Sequence, residues 1–180
     1  MSKLKIKSIG VFGGSFDPAH KGHVSLSKIC LKKMRLSKIY WVITKKNPFK
    51  KKPFFSIKER IIQSKKILKN NKKIKVLYLD EKINSSRTVD VLKFLKKTRK
   101  RENFYLILGS DSLLKFHKWK SWKKIVKMSK LVVFSRRGYD KKSKKSIIVK
   151  YINEKNIIYI NNKHINISSS NIKRQKSKSY

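Results

Sequence analysis

Residues 13–23 read Gly-Gly-Ser-Phe-Asp-Pro-Ala-His-Lys-Gly-His, and most residue types in that run have a use against phosphate. His20 and His23 stand three residues apart, so on a helix both point the same way and offer ring N–H donors to phosphate oxygens. Gly13 and Gly14 allow positive φ and a close approach of backbone to ligand. The amides at a helix start form an anion site, and Ser15 adds a hydroxyl. A tight turn with two structural histidines is the competing reading, disfavoured because so many positions are fixed at once.

Further candidates follow along the chain. The apolar run Phe104–Leu108 ends in Gly109-Ser110-Asp111-Ser112, and a carboxylate just past the carboxyl end of a parallel strand is where open α/β sheets put ligands. Capping the next helix is the other reading of Asp111. In Ser85–Leu92, Thr88 or Ser86 suits an N-cap, with Asp90 in the first turn. Trp119 is able to stack on a flat aromatic ligand, and Trp122 suits the core. Arg136 precedes Arg137-Gly138-Tyr139 in what reads by itself as a charged surface turn. Only nine acidic residues occur in the chain. Asp17, Asp90 and Asp111 each fall inside such a motif, which argues for specific work.

These residues need elements to position them. Lys5–Phe12 alternates and then runs apolar, as in a central parallel strand. A helix from about Gly22 to Met34 follows, then a strand over Ile39–Thr44, the βαβ opening of an α/β fold. Ser56 and Glu59 have capping-box spacing for a helix with Ile57, Ile61, Ile62 and Leu68 inward. Glu59-Arg60 on that helix reads as structural. Ile74–Leu79, Phe104–Leu108, Leu131–Phe134 and Ile157–Ile160 are further strands. A helix carries Val91, Leu92 and Leu95, Asp140–Lys145 reads as a mobile basic loop, and Ser146–Ile152 as a short helix.

The chain has 180 residues, 50 of them Lys or Arg, and a formal charge of +41. That length suggests one domain, 1–173, with 174–180 a basic tail expected to be disordered. No apolar run nears the about eighteen residues of a membrane span, so a cytoplasmic protein without a membrane partner is expected. The single cysteine, Cys30, excludes an internal disulfide and reads as a buried small hydrophobe. The positive charge is spread through every segment, which argues against a specific nucleic-acid footprint and for weak, salt-sensitive sticking to polyanions.

The string Gly13–His23 resembles the phosphate-binding motif of the HxGH nucleotidyltransferase superfamily, and its full form is similar to that of the bacterial nicotinate-mononucleotide adenylyltransferase family. Further segments are similar to that family in the expected order: Asn47-Pro48-Phe49-Lys50, Thr88-Val89-Asp90, Gly109–Asp111, Trp119–Trp122, Arg136–Tyr139 and Ile167–Lys173. The resemblance implies a Rossmann-like α/β fold, a parallel sheet flanked by helices, and transfer of the adenylyl group of ATP to nicotinate mononucleotide, with Mg²⁺ accompanying the ATP. It implies that His20, His23 and Ser15 act at the α- and β-phosphates, with Gly13 and Gly14 beside them, and that Ser168, Ser169 and Lys173 hold the rest of the triphosphate. Gly109 and Asp111 would meet the nucleotide ribose. Lys50, Thr88, Asp90, Trp119, Lys120 and Arg136 would meet the acceptor, Trp119 by stacking and the Thr88 and Lys120 amides at the ring carboxylate. For Lys50 an ordinary solvated loop is the alternative. Lys173 stands where the family has Arg, a point charge for a bidentate fork, and Val91 stands where it has Thr. The substrates imply no specific nucleic acid; a homo-oligomer is compatible with the sequence. A sister enzyme using another phosphate acceptor, such as phosphopantetheine, and a non-catalytic basic module for nucleic acid are the competing functions.

Overall fold

The computed structural model describes residues 6–45, 52–69, 71–152 and 154–161. Six strands form one parallel sheet in the order β3-β2-β1-β4-β5-β6: β1 (Ser8–Gly14), β2 (Lys38–Ile43), β3 (Ile74–Tyr78), β4 (Asn103–Gly109), β5 (Lys130–Phe134) and β6 (Ile157–Ile160). The order reverses between β1 and β4. Chains leaving those two strands diverge, so a crevice opens at their carboxyl ends, where open α/β sheets take ligands.

Side chains of successive strand residues leave opposite faces. Ile9 and Val11 join Tyr40, Val42, Leu106 and Leu108 in one core layer, under α3 (Thr88–Thr98), which contributes Val89, Leu92 and Leu95. Phe12 joins Ile39, Trp41, Ile43 and Ile107 in the other, under α1 (Lys21–Lys33) and α2 (Ile57–Leu68). Gly10, mid-strand in β1, is where neighbours fold over the backbone. A Cβ there would sit 2.9 Å from Ile107, Ile39 and Leu36.

The helices beyond β4 are short: α4 (Ser110–Leu114), α5 (Trp122–Met128), α6 (Asp140–Lys144) and α7 (Ile147–Tyr151). The expected mobile loop at Asp140–Lys145 is instead α6, anchored by fully buried Ser143, whose hydroxyl donates to the Asp140 carbonyl at 2.9 Å. The inward face of α2 also differs from expectation. Ile62 is exposed, and the helix buries Arg60 and Ser64 with Leu68. Trp122 is half-buried, packed edge-on against Tyr151 at 4.8 Å and against the core beneath. The basic tail 174–180 lies outside the described residues.

Cys30 is fully buried, and burial pushes its thiol up to about 12. Thiolate is the reactive form. The folded protein should therefore resist a thiol reagent at pH 8 and react stoichiometrically once unfolded in denaturant; rapid labelling of the native protein would contradict this burial.

Candidate active site

Strand β1 continues through Gly14 before the chain turns. Gly13 and Gly14 therefore do not adopt the positive φ expected of them: among the described glycines only Gly138 does, at 82°. The left-handed residue of the loop is Phe16, at φ 46°. That conformation costs about 1–3 kcal/mol for a bulky residue and persists only where packing enforces it. Here Phe16 stacks on Trp41 at 4.9 Å and 21° and lies 4.9 Å from the His23 ring. Behind it, Trp41 Nε1 donates to Ser27 Oγ at 2.8 Å, and Ser27 Oγ donates to the His23 carbonyl at 2.8 Å. Strand β2 thus fixes the first turn of α1.

His20 is the N-cap of α1. Its Nδ1 accepts from the Gly22 N–H at 3.1 Å, while His23 Nδ1 accepts from the His20 N–H at 3.3 Å. A neutral imidazole that accepts at Nδ1 carries its proton on Nε2. The two rings, 3.9 Å apart between centroids, therefore cap the helix with one nitrogen and keep an Nε2–H donor on the other. The two hydrogen bonds at the helix start select that tautomer for both rings.

Arg60 is the residue sequence reasoning undervalued. Only 2% exposed, it donates from Nη1 to the carbonyls of Ser15 and Thr44, both at 2.8 Å, and from Nε to Phe55 O at 3.1 Å. One guanidinium so joins the phosphate loop, the exit of β2 and the entry of α2. Burial pushes its pKa down, while the charges of Asp17, Tyr78 and Asp80 oppose that shift. Asp17, foreseen as a motif residue with a specific task, accepts from the Phe54 and Phe55 amides at 3.0 and 2.9 Å. Asp80, which follows β3, accepts from the Lys45 amide at 2.7 Å and the Thr44 hydroxyl at 3.2 Å. Partners 35 to 38 residues away in the chain carry no local sequence signal.

Across the crevice, Gly109 is the N-cap of α4, so Asp111 does not cap that helix but sits in its first turn. Asp111 Oδ1 pairs with Arg136 Nε at 3.3 Å. Arg136 is held by its own backbone, whose N–H donates to Ser110 Oγ at 3.0 Å and Asp140 Oδ1 at 2.9 Å. A Cβ on Gly109 would fall on the Asp111 carboxylate and come within 2.8 Å of Arg136 Nε.

A cavity of about 630 Å³ joins the two sides. It is lined by Gly13, Gly14, Ser15 and His23 from the phosphate loop, by Gly109, Asp111 and Arg136, and by Thr88, Trp119 and Lys120. The Trp119 ring rests 4.8 Å from Phe116. His20, its ring 3.9 Å from that of His23, is not among the lining residues. Asp90 does not reach the cavity: it accepts from Ser85 Oγ at 2.8 Å and pairs with Lys93 at 3.5 Å. The N-cap of α3 is Arg87 rather than Thr88 or Ser86, and Ser85 Oγ accepts the Arg87 N–H at 3.2 Å. Lys50, Ser168, Ser169 and Lys173 lie outside the described residues.

Residues 11–175 match the cytidylyltransferase-like family. A "Probable nicotinate-nucleotide adenylyltransferase" of Pelagibacter ubique (strain HTCC1062) is 45% identical over 170 residues, 94% of each chain. This chain belongs to the nicotinate-nucleotide adenylyltransferases of that family. A relative of the same description from Aquifex aeolicus (strain VF5) is 37% identical over 89% of this chain and 98% of its own. Among solved structures, the Plasmodium falciparum nicotinic acid mononucleotide adenylyltransferase complexed with NaAD has the same fold: its TM-score is 0.73 at 23% identity, over 93% of this chain and 83% of that one. The six-stranded parallel sheet flanked by helices is the architecture the adenylyltransferase motifs implied.

Proposed function

We propose that this chain transfers the adenylyl group of ATP to nicotinate mononucleotide, giving deamido-NAD and pyrophosphate, a step of NAD biosynthesis. A phosphate oxygen of the mononucleotide attacks the α-phosphorus of ATP. The bond from that phosphorus to the α,β-bridging oxygen breaks, and pyrophosphate leaves with the electron pair. No residue is covalently modified; the barrier falls through positioning and charge stabilisation. The observation that carries the reading is that the phosphate loop and the Thr88–Trp119 pair line one cavity at the point where the strand order reverses. That brings a triphosphate donor and an aromatic phosphate acceptor within reach of each other.

The roles are those the family resemblance implies, and the chemistry of each group is compatible with its role. His23 meets the α- and β-phosphates from the cavity wall, with Ser15 and the Gly13 and Gly14 amides beside it; His20, whose ring lies 3.9 Å from that of His23, is assigned to the same phosphates by resemblance. Asp111 accepts the adenosine ribose hydroxyls, and Gly109 leaves room for that sugar. Trp119 stacks on the pyridine ring, the Thr88 and Lys120 amides take its carboxylate, and Arg136 meets an anionic group of the substrates. By resemblance, Lys50 serves the acceptor, and Ser168, Ser169 and Lys173 the triphosphate. Nucleotidyltransferases of this kind use a divalent metal, and we assign it as Mg²⁺ entering with the ATP substrate, where it would offset the charge of the triphosphate. Among the described residues no three His, Cys, Asp or Glu side chains gather to hold an ion. Nor is any described helix long and apolar enough to cross a membrane, and the substrates are water-soluble nucleotides, which suits a cytoplasmic enzyme.

Replacing Trp119 by Ala tests the reading directly. Losing one base-type stack costs about 1–3 kcal/mol, so KM for nicotinate mononucleotide should rise by about tenfold or more while KM for ATP stays within about twofold. Equal rises for both would contradict the assignment. The adenosine side answers to Gly109→Ala. The added methyl displaces the Asp111–Arg136 pair, an overpacking of about 1–3 kcal/mol. KM for ATP should rise by about tenfold with KM for the mononucleotide little changed, and an unaltered KM for ATP would remove Asp111 from the ribose site.

A further inference from the structure

The carboxylate of Asp80 is half used. Oδ2 ties down Thr44 and Lys45 at the exit of β2, whereas Oδ1 is buried and has no hydrogen-bond partner among the described residues. The residue is 8% exposed, and it lines the same cavity as Thr88 and Ser86. A buried, unpaired carboxylate oxygen on a residue that lines a ligand cavity is costly unless something donates to it. Arg60 nearby balances the charge, while its hydrogen bonds among the described residues go to carbonyls.

The reading of the function given above supplies the donor. Nicotinate mononucleotide presents a ring carboxylate and a phosphate, both acceptors at neutral pH, and two ribose hydroxyls, which are donors. Asp80 stands on the β3 side of the crevice, where Thr88 and the acceptor belong, away from the β4–β5 side that holds Asp111. We propose that Asp80 is an acceptor-binding residue whose Oδ1 takes a hydrogen bond from a ribose hydroxyl of the mononucleotide, as Asp111 does for the ribose of ATP. A cation at Oδ1 is the alternative chemistry. It lacks companions, since no group of three metal-ligating side chains forms among the described residues.

The test compares nicotinate mononucleotide with its 2′-deoxy and 3′-deoxy analogues, in the unmodified protein and in Asp80→Ala. A hydrogen bond to a charged group carries about a tenfold or greater effect. One deoxy analogue should therefore show a KM raised by about tenfold in the unmodified protein and by less than about twofold, relative to the parent compound, in the variant. A penalty that persists in Asp80→Ala overturns the proposal, as does the absence of any penalty in the unmodified protein, a result that needs no variant. Loss of the effect on raising Mg²⁺ would assign Oδ1 to the cation and also overturn it. If the unmodified protein fails to turn over nicotinate mononucleotide at all, the reading of the function falls, and this proposal with it.

Discussion

Replacing His23 by Ala should lower kcat by about 10² or more, the usual loss for a preorganised donor aimed at developing charge. Charge builds on the pentacoordinate α-phosphoryl oxygens and on the leaving pyrophosphate, and His23, whose Nδ1 accepts from the His20 amide, lines the cavity. The same substitution removes a ring that packs 4.9 Å from Phe16 and 5.7 Å from Phe12, so some stability is lost with it. His23→Asn separates the two effects. An Asn amide can accept from His20 N–H and donate outward, so it should recover part of the rate. Steady-state turnover beside a thermal melt checks this, and unchanged turnover in a folded His23→Ala protein would remove the histidine from catalysis.

Arg60→Met should cost about 3 kcal/mol or more, the range for breaking a buried charge network by removing one partner. The carbonyls of Ser15, Thr44 and Phe55 lose their donor, and the Asp17 carboxylate loses a compensating charge. At about 2–4 °C per kcal/mol for a chain of this size, the melting temperature should fall by about 6–12 °C. Turnover should fall as well, because the Ser15 carbonyl belongs to the loop that presents the phosphate-binding amides. Arg60→Lys retains the charge but loses the fork that reaches three carbonyls, so its melt should lie between the two. A stability change under about 1 kcal/mol in Arg60→Met would show that the three segments hold their positions without the guanidinium.

The contrast between His23 and Arg60 marks what the sequence made legible. The histidine pair and Asp111 stood out as candidates because their chemistry and local spacing coincide, one helical turn and one strand end, and Trp119 stood out through its likeness to the family's motif. The strands were readable because both faces of a parallel sheet are buried, giving apolar runs such as Phe104–Leu108. Arg60 was not readable as a buried residue, since a charged side chain on a helix ordinarily faces water and only three loops converging from distant positions make it internal. Asp17 was marked by its motif but its partners, the Phe54 and Phe55 amides, were not, and Asp80, held by the Thr44 hydroxyl and the Lys45 amide, carried no local signal. Phe16 rather than Gly13 or Gly14 takes the left-handed turn because Trp41 and His23 hold its ring, a contact no spacing rule reveals. Helix α6 escaped notice because a single buried serine among lysines shows no apolar period.

The choice of acceptor carries the account, and pyrophosphate release measures it. With ATP and Mg²⁺ present, nicotinate mononucleotide, nicotinamide mononucleotide and phosphopantetheine are offered separately to the purified protein. The account predicts rapid release with nicotinate mononucleotide, equimolar with deamido-NAD, and none above background with phosphopantetheine. Release with phosphopantetheine but not with either mononucleotide would contradict it, leaving the phosphate loop in place and removing Trp119 and Thr88 from the recognition of a pyridine ring.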